Sequence, residues 1–250
     1  MASRRSARTS SAEPLIRFVR VRERGPGWPW TIPALAALEE LPLAAGVTFL
    51  VGENGSGKST LLEGIAFAAG FGPEGGSQNF APDTRGEIAP LGGAMVLVRG
   101  ARRPRTSFFL RAETFFNVAT KIDDIAEGIH DSYGGSSLHE RSHGEGFLAL
   151  ALHRFGPNGF YVLDEPEAAL SPQGLFALMR RLHDLVRAGS QFVIATHSPI
   201  LLAFPGALIY ELREDGPTET AYEDTDHFQM TRAFIEAPDR FLRRLFEDDA

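Results

Sequence analysis

The stretch "GENGSGKST", Gly52 to Thr60, directly follows the apolar run "VTFLV" at 47–51. Through Gly52, Gly57, Lys58 and Ser59 it meets the pattern G-x-x-x-x-G-K-[ST], and each residue type has a chemical reason. Glycines let the backbone turn tightly and aim its N–H groups inward at phosphate oxygens. A helix opening at Lys58 adds the positive end of its dipole. Lys58 would reach the β- and γ-phosphates, and the Ser59 hydroxyl would ligate Mg²⁺. Glu53, Asn54, Gly55, Ser56 and Thr60 complete the cradle. The bland alternative is a chance glycine-rich turn. Context decides against it, because an apolar strand precedes the loop and a helix through "STLLEGIAFAAG" to Gly70 follows.

Composition sets the frame around this loop. The 250 residues are 43% hydrophobic and 23% charged, ordinary for a globular chain. No apolar run approaches the roughly 20 residues that span a bilayer. The arginines of "MASRRSARTSSAEP" have no apolar segment behind them, so residues 1–13 read as a flexible basic tail, not a secretory signal. A single domain is expected over 14–250. Without cysteines there are no disulfides, thiolate metal sites or cysteine nucleophiles, which fits a cytoplasmic protein. A net charge of −7 argues against a surface devoted to nucleic-acid phosphates. The cluster "RGARRPR", Arg99 to Arg105, leaves room for a local patch but reads first as a solvated hairpin loop.

Along the chain, strands and helices alternate. "LIRFVRV" (15–21) has the period of a half-exposed strand. Gly70 to Gly93 reads as a long loop, an active-site flap by its length. "AMVLVRG" and "TSFFLRA" read as a pair of strands, and "VATKIDDIAEGIHDSY" as a helical piece. "GFLALALHRF" reads as a buried helix and "GFYVLDE" as a central parallel strand. Ser171 and Pro172 supply an N-cap and first-turn proline for a helix with Leu175, Leu178, Met179, Leu182, Leu185 and Val186 on one face. "QFVIAT" is a second buried strand, and "ALIYELR" with "TETAYE" a closing hairpin. This order predicts an α/β fold with a largely parallel sheet.

In "FYVLDEPEAALSP", Asp164 and Glu165 fall at the C-terminal end of a buried strand, the edge where open α/β sheets bind ligands. One acid there can hold Mg²⁺ while the next orients or deprotonates water. The bland alternative is two solvated loop acids. Four apolar residues before them, Phe160 to Leu163, and the proline after them weaken it.

With these residues in hand the sequence resembles the ABC-type P-loop ATPases. Gly52–Ser59, "SHGE" at Ser142–Glu145, "VLDEPEAALSP" and "IATHSP" stand in the order of that family's Walker A loop, signature, Walker B strand with D-loop, and H-switch. The resemblance runs from about Val47 to Pro199. It implies a P-loop NTPase fold with an antiparallel β-subdomain and a small helical signature subdomain. It also implies roles: Asp164 as the Mg²⁺-associated acid, Glu165 as the catalytic glutamate, and His197 as the switch histidine on the γ-phosphate. Ser142 and Gly144 look like the signature residues that bind the γ-phosphate of an opposite protomer, which implies an ATP-sandwiched head-to-tail homodimer. A helix N-terminus suits that anion. A metal site in "HERSHGE" is the alternative, and its spacing matches no familiar ligand pattern.

The departures are specific. The usual signature is closer to L-S-G-G-Q, and the D-loop position that is commonly Asp is Ser171. The glutamine-loop position aligns on Glu113, which would give Mg²⁺ or water a carboxylate, with Gln78 as the alternative. Trp28 or Trp30 would stack on adenine, against packing of a Pro-rich loop. These variants look less like transporter subunits than like the soluble group that includes RecF-like, OLD-like and SMC-like proteins, of which this chain resembles the compact, stand-alone members. The expectation is a Mg²⁺-dependent ATPase that couples ATP-driven closure to a partner, in a process such as DNA repair or defence. A transporter's nucleotide-binding subunit and a slow ATP-gated nucleic-acid clamp are the competing readings.

Overall fold

The computed structural model describes residues 13–72, 75–76, 90–115, 117, 120 and 143–247. The expected tail therefore falls almost wholly outside the described residues, as do Gln78, Ser142 and nearly all of the helical piece around residues 118–133.

Two sheets form the framework. A six-stranded sheet runs in the order β5 (Thr106–Arg111), β6 (Gly159–Asp164), β7 (Gln191–Ala195), β3 (Val47–Val51), β8 (Leu208–Arg213), β9 (Gly216–Glu219). All its pairings are parallel except β8–β9, an antiparallel hairpin at the edge. A smaller antiparallel sheet has the order β2 (Glu40–Pro42), β1 (Ile16–Val21), β4 (Met95–Arg99). β3, β6 and β7 are buried along their whole length. They are apolar on both faces because both faces are covered.

Alternation along those strands feeds two cores. Phe49, Tyr161, Leu163, Phe192 and Ile194 face helix α4 (143–154) and helix α5 (Pro172–Arg187). Leu50, Val162, Val193 and Ala195 face helix α2 (Lys58–Ala68) and the antiparallel sheet. Gln191, fully buried, joins the sheets: its amide accepts from Ile16 N at 2.8 Å and donates to Ile16 O at 2.8 Å and to Ala44 O at 2.7 Å. A buried amide with its donors and acceptor used in this way fixes one relative placement of two sheets.

The Ser171 cap is present, its hydroxyl accepting from Gly174 N at 3.2 Å. Leu175, Leu178, Leu182 and Leu185 are buried, and Met179 and Val186 pack beside them.

Three local expectations need correction. The strands on either side of the arginine cluster do not pair: β4 lies antiparallel to β1, and β5 lies parallel to β6 in the other sheet. The physical reason is pattern. β4 alternates buried and half-buried residues, whereas Phe108, Phe109 and Leu110 are all buried. The link is a crossover between sheets, with Arg102 reaching Asn158 Oδ1 (3.1 Å) and Glu13 O (3.0 Å). The expected loop over 70–93 contains a bridge from Gly76 to Phe109 and ends in a short helix α3 (90–94). There Gly92 lies so close to Phe67 that a Cβ would stand 2.5 Å from its ring. The closing hairpin is shorter than expected, since β9 ends at Glu219 and Tyr222–Asp224 form a 3₁₀ turn.

A short helix α1 (Pro33–Ala36) precedes β2, and α6 (Pro199–Leu202) follows β7. The sequence reading assigned nothing to the last 25 residues. There the chain forms α7 (Asp226–Glu236) and α8 (Pro238–Glu247). No helix among the described residues is long and apolar enough to cross a membrane.

Candidate functional site

The phosphate-loop pattern is built as a strand–loop–helix. Gly52 adopts φ 144° and Gly57 φ 96°, conformations that favour glycine. Space imposes a second constraint: a Cβ at Gly52 would stand 2.8 Å from Ser56 Oγ and 2.9 Å from Leu212 O. Gly57 is the left-handed N-cap from which α2 opens at Lys58. Lys58 is 5% exposed, and its ammonium donates to Glu53 O at 2.8 Å. Burial lowers its pKa, opposed by the charges of Glu165, Asp164 and Glu167.

β6, β7 and β3 are neighbours, so residues at their C-terminal ends converge. Ser59 Oγ lies 3.3 Å from Asp164 Oδ1. His197 Nε2 lies 3.5 Å from Glu165 Oε1. Glu165 itself is a non-glycine residue at φ 45°, a sparsely populated region, and its N–H donates to Ala195 O at 3.0 Å. Lys58, Ser59, Asp164, Glu165 and His197, chosen from separate motifs, share one sheet edge.

Asp164 has a second partner that the sequence reading missed. Arg111, at the end of β5, places Nε 3.4 Å from Asp164 Oδ2, Nη1 2.7 Å from Glu63 Oε1, and Nη2 3.8 Å from Glu113 Oε2. Asp164 is pushed up to about 6, first by burial and then by Glu165 and Glu63, with Arg111 and the Ser59 hydroxyl pulling the other way. Ser59, Arg111, Glu113, Asp164 and Glu165 line one pocket of about 480 Å³.

That donor set fits Mg²⁺. A hydroxyl and a carboxylate are hard oxygen ligands, and Mg²⁺ takes few protein ligands, leaving the rest of its shell to water and phosphate. Among the described residues no group of three or more His, Cys, Asp or Glu could hold a metal ion. Glu113 stands at the rim, its side chain 85% exposed.

Glu167 was also missed, although it is the third acid of "DEPE". Its Oε1 accepts from Thr196 Oγ1 at 2.8 Å and from His197 N at 2.6 Å. Burial pushes its pKa up, with those two hydrogen bonds opposing. It ties the turn after β6 to the chain leaving β7 and so holds His197 in place.

On the other side of the loop lies a groove of about 420 Å³ between the phosphate loop, Pro33–Ala34, Glu211–Glu214 and Asp226–His227. Of the two tryptophans, Trp28 is 56% exposed, while Trp30 packs against the core under the small sheet. Gly144 lies in the first turn of α4, where a Cβ would meet Ala169 O at 2.8 Å.

Comparisons with known proteins bear on the fold. A family model described as "AAA domain" matches residues 36–94, around the phosphate loop. A second, described as "AAA domain, putative AbiEii toxin, Type IV TA system", matches residues 146–203, from α4 through Asp164 to His197. Among solved structures, the nucleotide-free ATP-binding cassette of an ABC transporter superposes with TM-score 0.51 at 16% identity, covering 90% of this chain and 98% of that one. CbiO1 from Clostridium perfringens, part of the ABC transporter complex cbiONQ, gives TM-score 0.50 at 17% identity, covering 94% and 100%. The SMC head domain from Thermotoga maritima gives 0.44 at 16%, covering 82% and 98%. No curated protein sequence matches the chain. The fold is that of the ABC-type P-loop ATPases.

Proposed function

We propose that this protein is a Mg²⁺-dependent ATPase that binds ATP on the Gly52–Thr60 loop, hydrolyses it, and closes as a head-to-tail homodimer around it. The observation that carries the reading is the convergence of Lys58, Ser59, Asp164, Glu165 and His197 at one sheet edge, with Glu165 3.5 Å from His197.

The division of labour follows from chemistry. Loop N–H groups and the α2 N-terminus bind the phosphates, and Lys58 neutralises their charge from a buried position. Ser59 and Asp164 would hold Mg²⁺, with Glu113 near its water shell; when bound, the ion supplies charge neutralisation on the phosphates. Glu165 orients and deprotonates the attacking water, and His197 donates a hydrogen bond to the terminal phosphoryl group. Most of the catalysis is positioning and electrostatic stabilisation.

The dimer is supported by α4. Its N-terminus carries Gly144, yet neither the 420 Å³ groove nor the 480 Å³ pocket has a described α4 residue in its wall. A helix start that faces neither pocket of its own chain suits the nucleotide of a second chain, and Ser142 directly precedes it in sequence. Ser171 stands at the D-loop position. Trp28 is the exposed candidate for stacking on adenine.

Light scattering of Glu165→Gln with and without Mg·ATP, beside steady-state turnover of the wild type, tests the proposal. A monomer-to-dimer shift that needs ATP, with turnover in the wild type only, is the expected result. Normal turnover in Glu165→Gln would remove the residue from its role, and absence of both shift and wild-type turnover would overturn the reading.

A further inference from the structure

His227 belongs to none of the motifs above, yet it touches the site. It is the second residue of α7, and its Nε2 lies 2.9 Å from His197 Nδ1, with the rings tilted by 54°. The other nitrogen of His197, Nε2, faces Glu165 Oε1 at 3.5 Å. The outer nitrogen of His227, Nδ1, is buried with no hydrogen-bond partner among the described residues.

These contacts select one proton arrangement. A carboxylate beside His197 Nε2 calls for a proton there, since two lone pairs repel. The 2.9 Å contact between the rings needs one N–H and one bare nitrogen, and burial, which lowers the pKa of both, favours one proton per ring. With its proton on Nε2, His197 presents a bare Nδ1, and His227 must donate to it from its own Nε2. His227 Nδ1 is then an unpaired acceptor. The reverse arrangement would leave His197 Nε2 bare against Glu165 and bury an unpaired N–H, the costlier orphan.

The approach of His227 is built into the fold. The N-cap Thr225 is fully buried and its hydroxyl donates to Tyr222 O at 2.8 Å. Next to it, Asp226 N donates to Oε1 of Glu211 at 3.2 Å. Glu211 is 2% exposed and sits on β8 beside Val51, the residue before the phosphate loop. The first turn of α7 is thereby clamped to the strand that launches that loop.

We propose that His227 is a positioning residue for His197, donating a hydrogen bond to His197 Nδ1 and fixing the ring with its Nε2–H directed at the reaction site. The role rests on the ATPase reading for its effect on turnover, but not for its effect on the ring. It also makes the C-terminal helices part of the catalytic unit, since displacement of α7 withdraws the donor and frees His197 to change tautomer.

The test uses the full chain with His227→Leu and His227→Gln. Leucine fills similar space without a donor, whereas the glutamine amide restores an N–H at about the reach of Nε2. In ¹⁵N-histidine spectra, with the His197 signals identified by their loss in His197→Asn, the wild type should show His197 protonated on Nε2 alone. His227→Leu should show exchange between tautomers, and His227→Gln the wild-type pattern. Loss of the outer partner of a metal-bound histidine costs on the order of tenfold to a hundredfold in activity, and the lower end of that range sets the scale for His197. His227→Leu should therefore lose at least about tenfold in kcat with KM for ATP and the melting temperature little changed, and His227→Gln should recover most of it. An unchanged His197 tautomer in His227→Leu, or equal losses in the two variants, overturns the proposal. A wild type that turns over no ATP but shows the His227-dependent tautomer overturns the hydrolase reading and supports the histidine pair.

Discussion

Arg111 Nε stands 3.4 Å from Oδ2 of Asp164, while Nη1 of the same guanidinium pairs with Glu63 at 2.7 Å. One largely buried cation therefore serves two carboxylates that arrive on different elements, α2 and β6. Removing it leaves both without their cation, and Asp164 is 6% exposed. Arg111→Ala should destabilise the nucleotide-free chain by about 2–3 kcal/mol at pH 8, somewhat less than a fully buried pair because Glu63 is partly exposed. In a double-mutant cycle, adding Asp164→Asn to Arg111→Ala should recover a measurable part of that loss, and strict additivity would show that the contact carries no coupling.

Asp164 gives a pH dependence whose sign is fixed. Its folded pKa of about 6 lies above the ordinary carboxyl value of 3.8. The folded chain holds that proton more tightly, so the group's stabilising contribution is complete below about pH 4 and is lost as pH rises through 6. At pH 8 the ionised carboxyl costs roughly 3 kcal/mol. Asp164→Asn should therefore raise the melting temperature at pH 8, by up to about 6–12 °C for a domain of this size, without nucleotide or metal. The gain should shrink steadily between pH 6 and pH 4. A variant that melts below the wild type at pH 8 would show that Arg111 and Ser59 outweigh burial.

Glu167 separates holding from chemistry. Its Oε1 carries both Thr196 and the His197 backbone, whereas its buried Oε2 has no hydrogen-bond partner among the described residues. A glutamine keeps the accepting oxygen and removes the buried charge; an alanine leaves two donors without an acceptor. Glu167→Ala should lose about 2–3 kcal/mol in denaturant unfolding, and Glu167→Gln should stay within about 1 kcal/mol of the wild type. Equal losses would mean that the carboxylate charge, and not its geometry, holds the turn.

How much of this was legible in the sequence depends on the range of each interaction. The phosphate loop, Asp164–Glu165 and His197 were readable because each motif is contiguous, and a buried parallel strand announces itself by unbroken apolar residues such as Phe160 to Leu163. Arg111 and His227 were not readable. Their partners lie 53 and 30 positions away (164 − 111 and 227 − 197), and nothing local distinguishes them from solvated residues. The mispairing of β4 with β5 has the same origin: short linkers favour hairpins, and only the burial of both faces of Phe108–Leu110 reveals the crossover. Glu167 left a signal, a third acid in a turn that also carries two others, but a turn acid is ordinarily solvated.

The glycines of the loop offer the most discriminating test of its geometry. Gly52 and Gly55 both have positive φ, 144° and 81°, so alanine is strained at either. Their surroundings differ: a Cβ at Gly52 meets Ser56 Oγ and the Leu212 carbonyl within 2.9 Å, whereas at Gly55 nothing lies within 4 Å. At Gly55 the cost is conformational alone, about 1 kcal/mol, and the loop keeps its path. At Gly52 the backbone of β8 cannot retreat without breaking its register with Val51, so the loop itself must move. Gly52→Ala should therefore weaken binding of a fluorescent ATP analogue at least tenfold more than Gly55→Ala does, with both variants folded by circular dichroism. Equal effects would mean that the loop reaches its binding shape only with nucleotide in place.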